Sequence, residues 1–292
     1  MLPEQSLRRG ASLMVASAFF FAAMGVGVKV VSRELPNAVV VFFRSAIGFA
    51  ALAPVLPRLG RGGLATRHVG EHLIRSLAGL AAMYCFFYAI GHMRLADAVL
   101  LNYSLPLFMP VIAWAWLKEP IPDGLWQGLA LGFAGIGLIL KPGLALFNPV
   151  ALVGIAAAVL AALAQVGVRR LTETEPVTRI VFYFGLISTL VSAVPLVRTW
   201  KTPPVALWGT LLLLGISATA AQLLLTRAYA HAPAAQIGPF IYAAVPFAAL
   251  LEGLLFGQWP DVLSMAGAVL VVGAGILVLR GMPAARVPAA EV

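Results

Sequence analysis

Residues 88–140 read YAIGHMRLADAVLLNYSLPLFMPVIAWAWLKEPIPDGLWQGLALGFAGIGLIL, and residues 229–279 read YAHAPAAQIGPFIYAAVPFAALLEGLLFGQWPDVLSMAGAVLVVGAGILVL. Laid over one another at an offset near 139, with one-residue slips, they match Ala96 to Ala235, Glu119 to Gln258 and Gly128 to Gly267. Pro106 and Pro246 match at an offset of 140. Each stretch holds two apolar runs parted by a polar turn. The chain is therefore one helical unit written twice.

Working outward, the composition says where those units live. Of the 292 residues, 61% are apolar and 11% charged, against about 45–50% and about 25% in soluble domains. A soluble fold could not cover so much apolar surface, and disorder is excluded by the same figures. The fold class read here is an all-α polytopic membrane protein. The net charge of +9 comes from basic residues that sit mostly between apolar runs, where they mark cytoplasmic loops; no nucleic-acid partner is expected. Cys85 lies in an apolar run and reads as a small core residue.

A helix needs about 20 apolar residues to cross the hydrocarbon core. Ten runs qualify: 11–32, 37–56, 71–92, 96–117, 124–140, 150–169, 178–197, 206–229, 234–257 and 260–280. Their breaks carry turn or charge chemistry, as in Lys118-Glu119-Pro120-Ile121-Pro122-Asp123 and Trp259-Pro260-Asp261. The first run follows Arg8 and Arg9 but is long for a signal peptide, so it is read as a retained span. A cytoplasmic N-terminus would place 13 Lys and Arg inside and 6 outside, leaving out Arg44 within a span. Both termini are expected in the cytoplasm. Ten spans in two copies give five spans each. An odd-numbered unit ends on the side opposite its start, so its copy must be inverted. The expected division is 11–142 for spans 1–5, 150–281 for spans 6–10, and 282–292 for a cytoplasmic tail.

These features resemble the EamA repeat of the drug/metabolite transporter superfamily. The resemblance rests on Tyr88-Ala89, Leu95-Ala96, Leu105-Pro106-Leu107 and Leu117-Lys118-Glu119 before a Gly-rich span, repeated as Ala228-Tyr229-Ala230, Pro246 and Gln258. Gln258 departs from the family's frequent Glu. Arg44 resembles the family's recurrent basic residue. The resemblance implies export of amino acids or related metabolites through a bacterial inner membrane. It leaves the substrate open.

Polar residues within spans face the bundle interior or water. Spans 5 and 10 have almost none, so they are expected at the periphery, packed through small residues. The other eight spans are expected to surround the path. Tyr84, Tyr88, Asn102, Tyr103, Gln165, Gln222 and Tyr242 are the candidate substrate-binding residues. Their phenols and amides suit a small zwitterion with an apolar side chain. His92, Tyr229 and Tyr183, near helix ends, read as interfacial anchors. Pro106 and Pro110 in span 4, with Pro239 and Pro246 in span 9, are candidate kinks or hinges, since each removes an amide hydrogen. Among the charges, Arg44 is a candidate for a carboxylate or for Asp97. Lys29 reads as snorkelling to the outer interface, Glu252 as the carboxylate inside a span, and Glu119 as closing the loop after span 4.

The leading functional class is a secondary transporter working by alternating access, most simply as a monomer. No cofactor or metal is expected, and ATP is not expected because no GxxxxGK[ST] occurs. An intramembrane enzyme is the second class, but there is no GxSxG. A passive channel is the third, but rings of charge or a repeated filter are missing. Neutral amino acids are the expected cargo, and quaternary ammonium drugs poor cargo, since no carboxylate lies near the middle of the path.

Overall fold

The computed structural model describes residues 6–54, 56–59, 63–92, 101–121, 125–140, 149–257, 259 and 261–280. Leu95, Ala96, Asp97, Gln258 and the tail 282–292 lie outside them. The described residues form ten helices of 13 residues or more: α1 (Leu7–Val31), α2 (Asn37–Ala50), α3 (Val69–His92), α4 (Leu105–Leu117), α5 (Leu125–Leu140), α6 (Val150–Leu171), α7 (Val177–Ala193), α8 (Trp208–His231), α9 (Ala244–Phe256) and α10 (Val262–Arg280). Each falls within or across one predicted run. Five segments are long and apolar enough to cross a membrane, the last of them Ala234–Phe256. The remaining apolar helices span 10–17 residues. The protein is a multi-pass helical membrane protein.

Local chemistry repeats between the halves. Pro36 and Pro176 stand immediately before α2 and α7, where a fixed φ and a missing N–H end one segment and open the next. Lys118 closes α4 in the left-handed region at φ 59, and Gly257 closes α9 at φ 69. The first copy holds with a lysine what glycine does freely in the second.

The helix pairing is also two-fold. Exchanging each helix for the one five places along turns α1·α8 into α6·α3, α1·α9 into α6·α4 and α2·α8 into α7·α3, and all six pairs are in contact. The pairs α2·α7 and α5·α10, also in contact, map onto themselves. The α5·α10 pair is joined backbone to backbone. A Cβ on Gly135 would stand 2.7 Å from the carbonyl oxygen of Gly267, and one on Gly267 2.5 Å from that of Gly135. Lipid gives helices no hydrophobic reason to associate, so such close approach through small residues is what holds them. The outer surface is apolar, with Leu152, Val197, Val262 and Leu255 exposed.

Candidate functional site

Four helices, α2, α3, α7 and α8, converge on the ring of Phe184. The ζ carbons of Arg44 from α2 and Arg75 from α3 lie 5.3 and 3.5 Å from its centre. Both arginines are buried, at 8% and 3% exposure. Arg75 Nη2 donates to Oε1 of Gln222 on α8 at 2.7 Å. Its Nε and Nη1, and the Nε of Arg44, are buried without partners among the described residues. Neither arginine pairs with a described carboxylate. Contact with the ring offsets about 0.5–2 kcal/mol, far less than the cost of a desolvated charge without a counter-charge.

A narrow cleft of ≈ 20 Å³, room for about one water, lies beside this cluster, its wall formed by Arg44, Ser45, Phe49, Phe184, Thr219 and Gln222 together with small and apolar neighbours. Helical spacing explains the wall: Arg44, Ser45 and Gly48 share a face of α2, and Thr219 and Gln222 share a face of α8. Thr219 Oγ1 donates to the Gly48 carbonyl at 2.7 Å. A Cβ at position 48 would stand 2.7 Å from that hydroxyl, so glycine lets the two helices close here. Among the described residues, the hydroxyls of Ser45, Ser76 and Ser188 are buried without partners. So are both ring nitrogens of His72, whose ring lies 4.5 Å from that of Tyr183. Buried polar atoms call for polar partners, and no described residue supplies them here.

Below this cluster the loop 63–68 is tied to α7. Glu175 accepts from Thr66 and Arg179, Arg179 Nε donates to Gly63 O at 2.7 Å, and Tyr183 Oη donates to Leu64 O at 2.8 Å. On the other side of the bundle, Tyr229 donates to Gln165 beside the sulfur of Met109. Arg169 then bonds both the Tyr229 carbonyl, at 3.1 Å, and Glu119, at 2.9 Å. Glu119 Oε2 accepts from the Ala234 amide at 3.0 Å. The sequence reading gave Glu119 only a loop; the structure makes it a joint of three segments. Lys29 binds Glu252 at 2.7 Å, so it is paired as well as near an interface. The offset of 140 that matches Pro106 to Pro246 also matches Lys29 to Arg169, and each pairs with a carboxylate of the other half.

The predicted substrate residues are spread out. Gln222 is in the wall of the cleft. Tyr84 buries an unpartnered hydroxyl on α3. Tyr88 is 47% exposed and stacks on His92, 4.0 Å between ring centres. Tyr103 packs on the larger core cluster, Asn102 precedes it at the break before α4, and Gln165 serves Tyr229. Tyr242 is buried against Gly132, where a Cβ would come within 2.5 Å of its ring. Of the prolines, Pro106 opens α4 and Pro110 lies inside it. Pro239 opens a 3-10 turn, Gly238–Ala243, and Pro246 falls in the first turn of α9. Tyr229 is no interfacial anchor: it is wholly buried. Arg75 is one of the 13 basic residues that the charge asymmetry assigns to the cytoplasmic side; its side chain is buried inside the bundle.

A bundle of apolar helices with a charged, amide-lined cleft inside it is the build of a small-molecule transporter, not of an enzyme. The comparisons agree. The model of the EamA-like transporter family matches residues 8–141 and again 148–280, and the chain belongs to that family. It is 37% identical over 277 residues to the pseudopaline exporter CntI of Pseudomonas aeruginosa, covering 94% of this chain and 97% of that one. It is 26% identical to a riboflavin transporter of Brucella anthropi, over 91% and 97% of the two chains. It is also 26% identical to an S-adenosylmethionine uptake transporter of Rickettsia bellii, over 88% and 89%. A solved crystal structure superposes with a TM-score of 0.78 at 20% identity, over 91% of this chain and 95% of that one; that likeness is one of fold.

Proposed function

We propose that this chain is a ten-span secondary transporter that exports small amino-acid-like metabolites across the inner membrane by alternating access. Its two halves would be inverted copies, with the path between them. The observation that carries the reading is the cleft walled by Arg44 and Gln222 within the membrane-spanning bundle. An arginine fork suits a carboxylate, the group all amino acids share. The symmetric pairing of the helices supports exchange between two mirror-related openings, since equivalent contacts can trade places at little net cost. The export direction follows the pseudopaline exporter, although other relatives are named for uptake.

Counterflow in proteoliposomes tests this. Vesicles loaded with a mixture of unlabelled amino acids should accumulate labelled ones saturably, without ATP. Ion current, substrate cleavage, or uptake that never saturates would replace the carrier reading.

A further inference from the structure

Two guanidinium groups approach one ring in the interior of the bundle, and no described carboxylate answers either. Elsewhere the same protein neutralises its interior charges with care: Arg169 has Glu119, Lys29 has Glu252 and Arg179 has Glu175. The Arg44–Arg75 cluster is the exception. Its uncommitted atoms are on the groups that line or back the cleft. Arg44 is in the wall itself, while Arg75 stands directly behind two wall residues, stacked on Phe184 and bonded to Gln222.

We infer that the cleft selects cargo of net negative charge: small organic acids carrying more carboxylates than amines. This rests on the transporter reading and narrows its substrate class. A zwitterion brings one positive charge for each negative one. Its ammonium would enter a site that already holds two cations and offers no described acid. A net anion leaves the site closer to neutral. A donor in the wall fits as well: the hydroxyl of Ser45 can donate to a carboxylate oxygen. Phe49, Leu52 and Val181 give the carbon chain an apolar wall. Arginine is suited to this role because its planar fork meets a carboxylate with two parallel bonds, and because it stays charged when buried.

Glutamate and glutamine make a suitable pair of probes, being nearly equal in size and different by one negative charge. Glutarate removes the amine altogether. The purified full-length protein in detergent would be titrated with each at constant ionic strength, following thermal stability and tryptophan fluorescence. Glutamate and glutarate should bind about tenfold tighter than glutamine or leucine, the scale of one charge-assisted hydrogen bond. R44Q should erase that preference, and R44K should keep part of it. Should R44Q fail to fold, Arg75→Gln, one shell further back, gives the same readout as a reduced ratio. A ratio near one in the native protein, or one that survives both glutamine substitutions, overturns the inference. Counterflow separates the two layers. Saturable exchange of neutral amino acids, with no preference for anions, keeps the carrier and discards the charge selection. Tight glutarate binding without counterflow of any solute keeps the anion site and discards the carrier.

Discussion

Gln222 holds the balance of the site at the level of single side chains. It is the one described acceptor for Arg75, and it also lines the cleft. Replacing it with alanine removes a bond to a charged donor, worth about 1.5–3 kcal/mol, and leaves a guanidinium in the interior with no described acceptor. The Gln222→Ala variant is expected to insert normally but to lose about tenfold or more in counterflow rate, across several substrates together. A loss confined to one substrate would show that Gln222 reads the side chain of the cargo. Gln222 was legible in the sequence, since an amide in an apolar run on the same helical face as Thr219 has few other reasons to be there. Arg75 was not. It sits only six residues into α3, where periodicity cannot distinguish a basic residue reaching for the interface from one turned inward. Its partner is 147 residues away, and no local pattern encodes that contact.

At the level of helices, the two ion pairs differ in depth. Arg169 and Glu119 have side chains 10% and 11% exposed, while Lys29 and Glu252 have 29% and 33%. Breaking the first by Glu119→Gln strands a buried arginine and should cost about 3–5 kcal/mol. It also frees the Ala234 amide and loosens α4 from α6. Breaking the second by Lys29→Met should cost less, because its partner Glu252 is about three times as exposed as Arg169 and is left less deeply buried. Fluorescence-detected thermal melts of the two variants in detergent check this: a far larger drop in Tm is expected for Glu119→Gln, and equal drops would contradict the difference in burial. The positions of these helices were open to sequence reading because apolar length and turn residues mark them. The pairings were not, because Glu119 beside Pro120 reads as loop chemistry until α6 is brought alongside.

For the molecule as a whole, the charge asymmetry predicts one topology, with both termini in the cytoplasm. A fluorescent protein fused after residue 292 should glow in the cytoplasm, and a phosphatase fused there should stay inactive. The opposite pair of results would reverse the assignment of sides. The twofold repeat was visible in residues 88–140 and 229–279 before any coordinates, since the motif and its spacing are both local. The symmetry is broken at the site: at the offset of 140, Arg44 answers to Phe184 and Arg75 to Gly215. Both cations belong to one half, which no comparison of the halves for likeness would single out.

Two buried positive charges that no described carboxylate answers would also give the proposed transport cycle an electrical sign. An empty carrier returning across the bilayer carries them bare; a carrier loaded with an anion carries less. If the cargo is a net anion and the direction export, each completed cycle would move net negative charge outward, and an inside-negative voltage would drive it forward. The available work is about 2.3 kcal/mol per charge for each 100 mV, enough to concentrate an exported anion roughly fiftyfold without any proton or sodium gradient. In glutamate-loaded vesicles, a valinomycin-clamped potassium potential, negative inside, should speed efflux, and the opposite potential should slow it. Efflux that ignores the clamp would mean that the arginines do not travel through the field with their cargo.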